Sequence, residues 1–134
     1  MTDPTEEQSM ALAALIAVEF HGWEKDAEGE RWMYHDHHTL RAEWTGFHVE
    51  GCSPVVYNPA WNDDQAAVVR NRLMVREDMA ELTLRRMRDY SGELFVHCRL
   101  ELLHECHERR ASTEAFATVL AVASLLGLEN WEEL

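Results

Sequence analysis

Apolar side chains recur at helical spacing near the start of the chain. Leu12, Leu15, Ile16 and Phe20 fall three and four residues apart, with Ala11, Ala14 and Val18 beside them. Such a stripe marks a helix with one buried face. Asp3-Pro4-Thr5-Glu6 precedes it. Asp3 can cap, Pro4 suits the first helical position, and Glu6 stands three after the cap. Gly22 is a natural stop. The pattern predicts a first helix from Thr5 to His21.

From Gly29 to Pro59 the pattern changes to turn residues interleaved with Trp32, Tyr34, Trp44, Phe47 and Tyr57. Short strands are expected near Arg31–His35 and Leu40–Val49, joined at His35-Asp36-His37-His38. Ser53-Pro54 and Asn58-Pro59 punctuate a loop. Asn62 or Asp63 then caps a second helix. Ala66, Val69, Leu73, Ala80, Leu84 and Met87 keep helical spacing as far as Tyr90. A helix that long leaves a break near Val75–Asp78 open.

The clearest alternation follows. Leu94, Val96, Cys98, Leu100 and Leu102 alternate with Phe95, His97, Arg99 and Glu101, which predicts a strand with one buried face. A return strand near Cys106–Ala111 completes a hairpin. Ser112-Thr113-Glu114 caps a last helix, almost wholly apolar from Ala115 to Leu126 and therefore mostly buried. Gly127 ends it, with Leu128 placed for a Schellman contact. Helices segregated from a small antiparallel sheet give an α+β fold, a helix–sheet–helix layered sandwich with three main helices. The Ala-rich first and last helices are expected to pack together against the sheet. Residues 1–134 read as one domain, with 129–134 a short acidic C-terminal tail.

Composition narrows the function. The 134 residues carry a net charge of −13, which argues against sequence-independent nucleic-acid binding and favours a basic partner. The charge is unevenly placed: residues 1–30 carry −7 and 89–134 carry −6, whereas 70–88 carry +3. Arg70, Arg76, Arg85 and Arg88 thus form a basic stripe on the expected middle helix. It reads either as a solvated face with internal ion pairs or as a surface for acidic groups, including those of another copy in a homo-oligomer. Trp131, with Glu132 and Glu133, sits in the acidic tail, either as a protein-contact residue or folded back on the core. No apolar run is long enough to span a membrane. The acidic start is unlike a secretory signal, and three cysteines make no disulfide framework. A cytoplasmic setting is expected.

Cys98, His104, Cys106 and His107 are the sharpest chemical candidates. Thiolate and imidazole at short spacing can hold zinc, but the spacing is not a paired knuckle. Cys98 also fits a buried strand face as a small core residue. His35, His37 and His38 form a second cluster that could join a metal site or simply populate a solvated turn. Carboxylate pairs such as Asp63-Asp64 suit helix N-termini. No phosphate-binding glycine loop or nucleophile signature is present, so no enzyme is expected, no catalytic residue is assigned, and no cofactor beyond possible zinc.

Three segments resemble the phage-encoded ABA-sandwich domain family. They are Ala11-Leu12 through Ala17-Val18-Glu19-Phe20-His21-Gly22-Trp23, Ser53-Pro54 with Trp61-Asn62-Asp63-Asp64 and Ala67, and Ala111-Ser112-Thr113-Glu114-Ala115 with Ala121. Together they span most of the chain in the family's order. The Arg-rich stretch Val68–Arg88 and the His-rich turn depart from its pattern. The resemblance implies a phage or prophage origin and a helix–sheet–helix sandwich, with no established enzymatic activity. Together with the compact single domain, the acidity and the missing catalytic motif, it suggests a small accessory protein that binds a host or phage protein, in a sharper form inhibiting a host defence system, its acidic faces occupying a nucleic-acid-binding surface. A zinc protein or enzyme and a self-assembling accessory domain are the alternatives.

Overall fold

Thr5, and not Asp3, opens the first helix, because the Thr5 and Gln8 side chains close on each other's backbone. Thr5 Oγ1 accepts from Gln8 N at 3.2 Å and Gln8 Oε1 accepts from Thr5 N at 2.9 Å, a reciprocal capping box. Asp3 instead accepts a hydrogen bond from the Ser112 hydroxyl. The computed structural model describes residues 2–25, 32–36, 39–44 and 57–134. His37, His38, Phe47, His48, Cys52 and Ser53-Pro54 lie outside the described residues.

Helix α1 spans Glu6–Leu15 and widens into a π-helical turn over Ile16–Phe20. Gly22, at φ 73°, ends it; Trp23 N donates to Ala17 O at 2.8 Å, a closure that the left-handed glycine permits. Strands β1 (Glu24–Lys25), β2 (Trp32–Asp36) and β3 (Thr39–Trp44) pair antiparallel in that order. Asp36 pairs with Thr39, so His35 and Asp36, expected in the turn, belong to β2, and His37 and His38 between the strands lie outside the described residues.

Helix α2 covers Asp63–Met74, capped by Asn62 through Gln65 N at 3.0 Å. It does not continue to Tyr90. Arg76 and Asp78 close a turn with two 2.9 Å hydrogen bonds, and residues Met79–Arg88 form strand β4. Leu82 and Leu84 fit either period, and pairing with β5 (Leu94–Leu102) decides between them. β6 (Cys106–Ala111) completes the antiparallel sheet β4-β5-β6. The β4–β5 turn is fixed by Asp89, whose carboxylate accepts from Ser91 N, Ser91 Oγ and Glu93 N at 2.9, 2.6 and 2.9 Å. These hydrogen bonds hold its pKa below the usual carboxylate value, that of Ser91 first.

Helix α3, Glu114–Leu125, carries the core. Every residue from Ala115 to Ala123 is buried, because the sheet lies against one side and α1 and α2 against the others. Val96, Cys98, Leu100 and Leu102 meet it from β5. Gly127, at φ 99°, and Leu128 end the helix, Leu128 N donating to Ala123 O at 2.9 Å. Among the described residues the chain is thus α+β, three α-helices with two three-stranded antiparallel sheets.

Candidate partner-binding site

All three helices begin around one cleft of about 710 Å³. Asp3 and Pro4 lead into α1, Trp61 and Asp63 flank the α2 cap, and Ser112 to Phe116 enter α3. The open ends of β4 and β5 supply Arg86, Leu94, Phe95 and Val96. One amide of each helix start is already capped: Thr113 Oγ1 takes Phe116 N at 3.1 Å, as Thr5 and Asn62 do for Gln8 N and Gln65 N of their own helices. Asp63 and Glu114 lie in first helical turns, where the helix dipole favours acids. Arg86 reaches Glu114 at 3.0 Å. Among the described lining residues, three carboxylates therefore face a single cation. The apolar part is open to solvent: Trp61 is 54% and Leu94 58% exposed.

Trp61 precedes the α2 cap, a position from which an apolar side chain often folds onto the first turns. Its exposure there is the feature sequence reasoning passed over. The available signal was an aromatic beside a cap, but nothing in the sequence says whether such a residue staples inward or stands out. The cleft holds Ser112 but, among the described lining residues, neither histidine nor cysteine. Its chemistry is that of a binding surface, an apolar floor with an acidic rim.

The expected basic stripe is dispersed. Arg70 turns inward, Nη1 donating to Thr118 Oγ1 at 3.1 Å. Arg76 is held by Asp78, which raises the arginine's pKa and lowers the acid's. Arg88 donates to Gly92 O at 2.8 Å. The Arg85 side chain, on β4, has neither hydrogen bond nor ion pair among the described residues. Trp131 folds back, edge-on to Phe116 at 4.9 Å. Gln8 Nε2 donates to Glu132 O at 3.2 Å, fastening the tail to α1, and Glu132 and Glu133 remain exposed.

The four candidate zinc ligands also part. Strand alternation sends Cys98 to the helix side, fully buried, where burial pushes its thiol up to about 12. Cys106 is opposite Glu101 on the other face, its Sγ 3.4 Å from Arg99 Nε. His107 turns to the helix side, with Nδ1 2.9 Å from Ser124 Oγ. Its Nε2 lies 3.3 Å from Glu105 Oε2, outside hydrogen-bonding geometry. His104 sits exposed in the β5–β6 turn. Among the described residues no three His, Cys, Asp or Glu side chains group as metal ligands do.

A buried aromatic cluster lies at the end of the π-helical turn. His21 stacks on Trp23 at 4.1 Å and 13°, and its Nε2 is 3.0 Å from Tyr57 Oη. Its Nδ1 is buried and has no hydrogen-bond partner among the described residues. Burial, and then the nearby Arg72 charge, lower its pKa from 6.5 to about 4. No sequence spacing links Tyr57 to His21, so this contact is a product of the fold.

The fold and cleft define an α+β domain with an acidic-rimmed surface. Compared with protein-family models, curated proteins and solved structures, the chain matches none. Among the described residues no helix is long and apolar enough to cross a membrane.

Proposed function

We propose that the protein works by binding another protein without catalysing a reaction, its cleft taking a basic segment with one apolar anchor. The observation that carries this reading is the exposure of Trp61 and Leu94 on a cleft lined by Asp3, Asp63 and Glu114 against Arg86. Tryptophan is often an energetic centre of an interface. An acidic rim steers a basic partner and rejects an acidic one. The net charge of −13 favours the same partner. Likeness to the phage-encoded family adds a finer proposal. The protein would be a phage or prophage accessory factor in the bacterial cytoplasm, covering the nucleic-acid-binding surface of a host defence protein.

Selection from a random peptide library tests the cleft. Enriched sequences should place arginines or lysines beside an aromatic or aliphatic residue. Trp61→Ala and Asp63→Lys should each lower their affinity by about tenfold or more, as loss of an interface anchor does. Acidic peptides, or affinity unchanged in both variants, would refute the reading. The finer proposal predicts that nucleic acid and this protein exclude each other on a captured partner. Simultaneous binding of both would retire it and leave the cleft reading standing.

A further inference from the structure

β4 is an outer strand of its sheet: β5 pairs with one edge, and among the described residues no strand pairs with the other. Ten residues of edge strand offer backbone N–H and C=O groups that a further strand can satisfy. Natural edges are often blunted by proline or by charge. β4 contains no proline, and its charges are sorted by sign. Glu81 stands near its beginning and Arg85, Arg86 and Arg88 at its end, and Glu77 and Asp78 lie in the turn that leads into it, Asp78 held by Arg76. A strand sorted in this way complements itself when run antiparallel. We propose that a second copy of this chain pairs antiparallel with β4 about a two-fold axis at Thr83, forming an isologous dimer.

Pairing with β5 fixes which side chains share a face. Glu81, Thr83 and Arg85 stand opposite Glu101, Arg99 and His97 on the face away from α3, and Leu82 and Leu84 opposite Leu100 and Cys98 on the face towards it. With the axis at Thr83, Arg85 of each copy stands across from Glu81 of the other, and Leu84 across from Leu82. The ion pair occurs twice by symmetry, and directly opposed unlike charges stabilise a sheet where like charges destabilise it. Past the irregularity at Met79–Glu81, Arg86 and Arg88 run beside the other copy's Glu77-Asp78 turn. Leu82 and Leu84, partly buried at the margin of the core, gain cover.

Other registers lose this match. An axis at Arg85 or Arg86 sets that arginine against itself, and an axis at Glu81 does the same to the acid. An axis at Leu82 leaves Glu81 and Arg85 unmatched and sets Arg88 against Arg76, and an axis at Leu84 leaves all the charges unmatched. The opposite edge, β6, does less well: the register that sets Arg110 against Glu108 also sets Arg109 against Arg109. Arg85 is exposed and has no ion pair among the described residues, so it is available to a second copy.

Sedimentation equilibrium of the full chain at low ionic strength tests the dimer. The expected result is a reversible monomer–dimer equilibrium that weakens with salt as the charges are screened. Arg85→Glu should weaken it by about tenfold or more, and Glu81→Arg likewise. The double reversal Glu81→Arg with Arg85→Glu should restore it. Circular dichroism on each variant separates lost pairing from lost folding, and the double reversal must recover the dimer even if one single variant is unstable. Thr83→Cys, made with Cys52→Ser and Cys106→Ser, should form an intermolecular disulfide between the introduced thiols when oxidised glutathione is added, which takes up the two electrons and is released as the thiol. A chain monomeric up to about a millimolar at low salt overturns the proposal. So does a dimer indifferent to both single reversals, or open-ended assembly in place of a closed pair.

Discussion

His21 shows how one side chain can make the whole fold respond to pH. Its ring is stacked on Trp23, bonded to Tyr57 and buried, and it stays neutral down to about pH 4. In the unfolded chain the same imidazole titrates near 6.5. The folded value is the lower one, so the unfolded state binds the extra proton. The stabilisation is complete above about pH 6.5 and is lost as pH falls towards 4, by up to about 3 kcal/mol. Urea unfolding of the native protein at pH 7 and at pH 4.5 should show that loss. His21→Phe, which keeps a ring against Trp23, should remove this part of the pH slope. Equal slopes in the two proteins would contradict the assignment. Cys98 makes the opposite case, a residue with two readings in the sequence that burial resolves. Period-two alternation alone puts it on a buried face, but only the pairing of β5 with β6 shows that Cys106 lies on the other.

At the scale of elements, caps and turns were the most legible features. Asn62, Thr113, Gly22 and Gly127 act where the sequence places them, because each acts through atoms within a few residues. Thr113→Ala removes the acceptor for Phe116 N and should cost about 1 kcal/mol. That is a fall of roughly 3–6 °C in a melting curve for a domain of this size. A variant melting with the native protein would mean that the α3 end is held by its surroundings. The boundary between α2 and β4 was not legible. Ala80, Leu84 and Met87 satisfy a helical period, while Leu82 and Leu84 between Glu81, Thr83 and Arg85 satisfy an alternating one. The expected long helix gives way because β5 buries one face and needs a hydrogen-bonded neighbour, while the Arg76–Asp78 fork closes the turn between them. The same change moves Arg85 and Arg88 from a supposed helix face to a sheet edge.

At the scale of the whole molecule, the hydrophobic core and the charged surface divide the protein's properties. Phe116 is fully buried in α3 and holds Trp131 edge-on, so the tail is part of the packed structure. Phe116→Ala should lower stability by about 3–5 kcal/mol. It should also shift the Trp131 contribution to fluorescence towards the emission of exposed indole; an unchanged spectrum, with Trp131→Phe as the reference, would show that the tail is held elsewhere. The surface follows a different logic. Net charge, its division between acidic ends and a basic middle, the buried last helix and the alternation of β5 are properties of the chain taken in order, legible before any contact is known. The fold class followed, since period and capping are local. Tertiary structure alone decided which charges are available. It turned Arg70 onto Thr118, closed Arg76 on Asp78, left Arg85 open on an edge, and gathered three helix beginnings, Trp61 and Leu94 around one cleft. The reason is that a side chain's partners lie across strands and between helices, at separations in sequence that no short pattern records.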